Sequence, residues 1–158
     1  MFKFLRLLTL FMLVALSACS KEDARNDGSI LSIRSGADNA ILHEYNIEIA
    51  DTKEKMYNGL MGRTSLDENA GFLFDVNIVP KDMDVAMWMK DTLIPLDMLF
   101  IDEEGVIFAT HANAKPNDVT PIYPPKRPFA VLEINGGQLQ KFDIKIGDVV
   151  DHPFFKKQ

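Results

Sequence analysis

The hydrophobic residues of this chain fall into short stretches set apart by turn-forming residues, after one longer apolar run at residues 7–16 (LLTLFMLVAL). Residues 45–50 (YNIEIA) alternate apolar and polar positions, the period of a half-buried strand. Residues 71–75 (GFLFD), 85–90, 93–102, 106–110 and 129–134 read as further strands, and Ile144, Ile146, Val149 and Val150 suggest one or two closing ones. Glu103-Glu104-Gly105 turns 93–102 back onto 106–110 as a hairpin. Asp51 followed by Glu54 has the form of a capping box and opens a short helix through Leu60, which Gly59 and Gly62 end. Asn135-Gly136-Gly137 is a turn, and residues 138–142 can make one helical turn after it. Five of the eight prolines lie in residues 116–128, which predicts a stiff surface loop. The pattern predicts a mainly β domain: a small sandwich or barrel of short, mostly antiparallel strands with one or two short helices.

The apolar run at 7–16 follows Lys3 and Arg6 and precedes the small residues Ser17 and Ala18, the three-part layout of an export signal. It falls short of the roughly 20 apolar residues that a membrane span needs. Leu16-Ser17-Ala18-Cys19 resembles the lipobox of bacterial lipoproteins. That resemblance implies removal of residues 1–18 as a signal peptide and acylation of Cys19, the first residue of the mature protein. Two or more acyl chains, at about 0.8 kcal/mol per buried CH₂, anchor a protein stably. Ser20 in place of Asp after the cysteine implies the outer membrane of a Gram-negative envelope, with the domain facing the periplasm. Residues 19–40 are polar and rich in Ser, Asp, Asn and Gly, and read as a lipidated flexible tether that Ile30, Leu31 and Ile33 interrupt as a short strand. The domain is then expected over residues 41–152, with a C-terminal tail at 153–158.

Charge narrows the partners. The chain has 17 Lys and Arg against 23 Asp and Glu; without Lys3 and Arg6 of the signal, 15 minus 23 leaves the mature protein at −8. Such a balance argues against nucleic acid and against an electrostatic hold on anionic lipid, so the membrane partner is reached through the lipid on Cys19. Cys19 is the only cysteine, which leaves no disulfide to support the fold. With 47% hydrophobic residues, the chain can build its core without one.

Two acids stand out against this background. Asp97 and Glu133 each sit inside a strand that is otherwise apolar on both faces, and a strand of that kind is buried on both faces. A carboxylate buried there demands a cation or several hydrogen-bond donors. Arg63 and Lys90 are the cations expected near them, Arg63 the better partner because its planar fork can take a carboxylate in bidentate fashion. One reading is a structural ion pair. The other is a polar ligand site lined by Arg63, Trp88, Lys90, Asp97 and Glu133, with the indole suited to a sugar ring or a small anionic ligand. Methionine offers a different chemistry: Met83, Met87, Met89 and Met98 cluster in sequence, with Met56 and Met61 before them, and thioethers favour Cu(I). The alternation of Met87 and Met89 equally suits core packing. His43, His111 and His152 have no metal-ligand spacing, and no metal or other cofactor is expected. Ser65 is the one serine beyond residue 40 and has no nucleophile motif around it.

Gly59-Leu60-Met61-Gly62-Arg63, the block from Trp88 to Asp97, Phe100-Ile101-Asp102, Val131-Leu132-Glu133 and Gly147-Asp148 together resemble the domain-of-unknown-function family numbered 192. The resemblance runs from about residue 47 to 150. It implies a small β-rich, sandwich-like or barrel-like fold, often exported in bacteria, and no settled activity. Asp91 departs from the Asn usual after the Lys and places a negative charge beside Lys90, which works against any role for Lys90 in meeting an anion. The function expected is a lipid-anchored envelope domain that binds a glycan, a small polar or anionic molecule, or a partner protein without catalysis. The alternatives are a cell-wall hydrolase using Asp97 and Glu133, and a Met-based copper-handling protein.

Overall fold

The computed structural model describes residues 30–156. The expected signal peptide, Cys19 and the first part of the tether lie outside the described residues. The strands are β1 (Ile30–Arg34), β2 (Ile41–Ala50), β3 (Ala70–Asp75), β4 (Leu96–Ile101), β5 (Ile107–Ala114), β6 (Ala130–Asn135) and β7 (Val149–Asp151). The helices are α1 (Lys53–Asn58) and α2 (Gln138–Lys141). The strands form one sheet in the order β5-β4-β6-β3-β2-β1-β7. Every pairing is antiparallel except β2 with β3. A bridge between Val106 and Val149 brings the start of β5 to β7, so the sheet curls into a half-barrel. The mainly β architecture expected from the hydrophobic pattern is the one the chain adopts.

The curl gives the sheet two apolar faces, because successive side chains along a strand point to opposite sides. The inner face holds Leu31, Ile33, Tyr45, Leu73, Leu99, Leu132 and Ile134, and Leu139, Val150 and Phe155 close over it. The outer face carries Phe72, Phe74, Met98, Phe100 and Val131, which Leu60, Met87 and Met89 cover. Both faces of β4 and β6 are therefore buried, which is why their sequences are apolar throughout.

Several local expectations need correction. Ile30–Arg34 is no part of a tether: as β1 it pairs with both β2 and β7, so the ordered domain extends well before residue 41. Residues 85–90 form no strand. Met87 makes a single bridge with Ile122, and Met89 N–H donates to the Asp118 carbonyl at 2.8 Å. The segment alternates because it lies extended over the outer face, with Met87 and Met89 turned in and Trp88 turned out. The cap of α1 is Thr52, whose hydroxyl accepts from the Lys55 amide, while Asp51 pairs with the Lys55 ammonium at 2.7 Å. Pro153–Lys156 is a 3-10 turn that buries Phe155 in the inner core, not a free tail.

Candidate functional site

The register of the sheet decides where the two strand acids point. Residues paired across neighbouring strands share a face. Asp97 pairs with Ile134 and so faces the inner core; Glu133 pairs with Met98 and with Phe72 and so faces outward. The two carboxyls stand on opposite sides of the sheet and form no acid/base pair. The geometry expected for a two-carboxylate hydrolase is absent.

Asp97 is a structural acid. It is fully buried and accepts from two backbone amides, Asn113 N–H at 2.7 Å and Leu139 N–H at 2.8 Å. One bond fixes the end of β5, where Asn113 has φ 52° beside a register shift in the β4–β5 ladder. The other satisfies the first turn of α2, whose N-cap is Gly137 and supplies no side chain. Backbone amides have taken the place of the expected guanidinium.

Arg63 is committed elsewhere. Its guanidinium makes a two-pronged pair with Glu48 at 2.7 and 2.8 Å and lies 5.7 Å from the centroid of the Phe72 ring. Glu48, Phe72 and Glu133 stand in one row across β2, β3 and β6. The Phe72 ring thus occupies the place between the guanidinium and Glu133, and the more exposed Glu48 holds the charge. Glu48 lay outside the residues expected to meet Arg63; its position in an alternating strand gives it the look of an ordinary solvated acid.

Glu133 is left without a counter-charge. It is 3% exposed, and its carboxyl makes no hydrogen bond or ion pair among the described residues. Burial alone pushes its pKa up to about 8, so the carboxyl is protonated at neutral pH. It contributes to the wall of a cavity of about 150 Å³ lined otherwise by Met56, Tyr57, Leu60, Met61, Phe74, Val76, Met87, Trp88 and a few neighbours. A helix end, an extended segment and two strands build this cavity over the outer face. α1 ends at Gly59, whose φ of 47° turns the chain so that Leu60 and Met61 face the sheet. The extended segment brings Met87 and Trp88 from the other side, and β3 and β6 supply the floor.

Trp88 and Tyr57 stand at the mouth, both well exposed, T-shaped to one another with centroids 6.4 Å apart. Lys90 donates to the Tyr57 hydroxyl at 3.1 Å, and its ammonium lies 5.5 Å from the Tyr57 ring and 5.9 Å from the Trp88 ring. That hydrogen bond holds the ammonium pKa above its ordinary value.

Of the five residues expected to share a site, Trp88, Lys90 and Glu133 come together, and Arg63 and Asp97 do not. The sequence carries no sign of Tyr57, because nothing in a six-residue helix marks it as lining a cavity. The methionines separate as well. Met89 and Met98 are buried in the outer core and Met83 is exposed on a loop, whereas Met56, Met61 and Met87 line the cavity. Among the described residues no three His, Cys, Asp or Glu side chains group as a metal site would require.

The family model for DUF192, described as uncharacterized ACR, matches residues 33–152. The chain belongs to that family. No curated protein matches it. Two solved structures are similar. One is a protein of unknown function from Novosphingobium aromaticivorans DSM 12444, with TM-score 0.69 and 34% identity over 77% of this chain and 83% of that one. The other, from Sinorhizobium meliloti 1021, is named a candidate transcription regulator; it has TM-score 0.72 and 31% identity over 78% of this chain and 92% of that one.

Proposed function

We propose that this protein is a lipid-anchored domain of the bacterial envelope that binds a small ligand in the cavity over the outer face of its sheet, without changing it covalently. The observation that carries the reading is Glu133: a buried carboxyl with no hydrogen bond or ion pair among the described residues, on the wall of a mostly apolar cavity beside two aromatic rings. A fold concerned only with stability gains from an apolar residue there, since a carboxyl drawn out of bulk water without a partner costs free energy. Small-molecule sites share this composition, an apolar and aromatic lining with a few placed polar groups. Catalysis fits less well, because among the described lining residues there is no Ser, Cys or His to act as nucleophile or base, and the second acid of the lining, Asp84, is exposed on the loop. The mature charge of −8 argues against carrying the regulator name of the Sinorhizobium protein over to a role on DNA.

The test is made on the full-length protein extracted from envelopes in mild detergent. Mass spectrometry of the Cys19 peptide should show acyl chains, and Cys19→Ala should release the protein from the membrane fraction. Native mass spectrometry should show a small molecule retained by the wild type and lost in Met61→Trp, which fills the cavity. Equal ligand-free masses and equal thermal midpoints in envelope extract for wild type and the filled variant would overturn the binding reading. An unacylated Cys19 would overturn the anchoring.

A further inference from the structure

The cavity has a sign as well as a shape. Among the described residues its lining includes two acids, Glu133 and Asp84, and the Tyr57 phenol, but no Lys, Arg or His. The Trp88 and Tyr57 rings at its mouth already attract one cation, the chain's own Lys90 ammonium. Behind them, Met56, Leu60, Met61, Phe74, Val76 and Met87 make an apolar interior whose thioethers adapt to the shape of a guest. A volume of about 150 Å³ is that of a single ring and far exceeds a bare ion. A sugar would meet a wall more apolar than polar, and an anion would meet two acids and, among the described lining residues, no base.

We infer that the cavity binds a small organic cation, an alkyl- or arylammonium with a body about one ring in size, its charge met by Glu133 and Asp84 and its body held among the methionines. The inference rests on the reading of the cavity as a ligand site and adds the chemical class of the ligand. Empty, the Glu133 carboxyl keeps its proton and brings no charge of its own into the cavity. Filled, the carboxyl releases that proton and pairs with the ammonium, a burial tolerated only when both charges are present. The groups facing this exchange are Asp84, Tyr57 and Lys90. Lys90 carries a like charge against the same rings and so opposes the ligand, which distinguishes the inference from any reading in which Lys90 receives an anion.

Three probes of similar size separate the possibilities: benzylammonium, benzyl alcohol and benzoate, titrated into the full-length protein in non-ionic detergent. Binding is read by calorimetry and by the fluorescence of Trp88, the single tryptophan of the chain. Benzylammonium should bind at least tenfold more tightly than benzyl alcohol, benzoate should not bind, and calorimetry in buffers of different ionisation enthalpy should register close to one proton released at pH 7. Glu133→Gln should erase the preference for the cation while keeping the affinity for benzyl alcohol, which also shows the variant folded. Lys90→Gln should tighten benzylammonium severalfold. Preference for benzoate, weakening by Lys90→Gln, or equal affinity for benzylammonium and benzyl alcohol would overturn the cation and leave the cavity standing. Stoichiometric Ag(I) binding that is lost in Met61→Leu, with no organic probe bound, would replace it by a thioether metal site. Failure of every probe, with no ligand retained from envelopes, would overturn the binding reading itself.

Discussion

Glu133 and Arg63 illustrate how differently two ionisable residues over one face of a sheet can behave. The raised pKa of Glu133 means that, between about 4.5 and about 8, the folded protein holds a proton that the unfolded chain has lost. Folding stability must therefore fall as pH rises through that window, and Glu133→Gln must remove this share of the slope. Urea unfolding of wild type and variant from pH 5 to 8 should show the difference between them growing in favour of the variant, by roughly 3 kcal/mol across the range. Parallel profiles would mean that Glu133 has found a partner. Arg63 predicts the opposite scale of effect. Its pairing with Glu48 is part-exposed, so a double-mutant cycle with Arg63→Ala and Glu48→Ala should return a coupling of only about 0.2–1 kcal/mol. A coupling of several kcal/mol would place the pair in a drier setting than its exposure indicates. That both strand acids are buried was legible from their apolar neighbours. Which charge meets which acid was not, because that depends on how three strands align, and alternation within one strand carries no information about its neighbour's register.

At the scale of elements, Asp97 does the work that the sequence assigned to a salt bridge. Removing its carboxyl strands the amides of Asn113 and Leu139 inside the protein, so Asp97→Ala should lose about 2–4 kcal/mol. Asp97→Asn keeps one acceptor oxygen and should lose less. Hydrogen exchange should find α2 and the end of β5 loosened together in both variants, since one side chain holds both; exchange confined to either element would contradict the joint anchoring. The strands and both helices were readable because alternation, turn residues and glycines coincide at their ends. The covering segment at 85–90 was misread for a physical reason: an extended chain lying on a core alternates whether or not a ladder accompanies it. β1 was absorbed into the tether because its polar surroundings, Ser29 and Ser35 to Asn39, outweigh the two buried positions Leu31 and Ile33. The cavity was the least legible feature, since its wall is drawn from a helix end, a loop and two strands that are distant in sequence.

For the molecule as a whole, stability depends on closing the curl, while the candidate site lies on the face away from it. The closure converges on Asp148, which is buried and accepts from Gly36 N–H at 2.9 Å and Lys145 N–H at 2.8 Å, while its own carbonyl accepts from Ile107 N–H. Three parts of the half-barrel, the β1–β2 turn, the approach to β7 and the start of β5, are tied at this one point. Gly36 fits there because it has no Cβ: a methyl at that position would stand 2.1 Å from the Gly147 carbonyl oxygen, which is backbone and cannot swing aside. Gly36→Ala must then push the turn away from Asp148 and should lose at least about 2 kcal/mol in urea unfolding, within the range of overpacking and lost buried hydrogen bonds. Gly62→Ala is the contrasting case. Its Cβ would meet nothing within 4 Å, and its cost comes only from the left-handed φ of 74°, about 1 kcal/mol. Because the closure and the cavity occupy opposite faces, Gly36→Ala protein that remains folded should bind benzylammonium with wild-type affinity. A folded Gly36→Ala protein whose cavity affinity dropped in step with its stability would show instead that the curl itself shapes the outer face, and the two faces would then have to be treated as one unit.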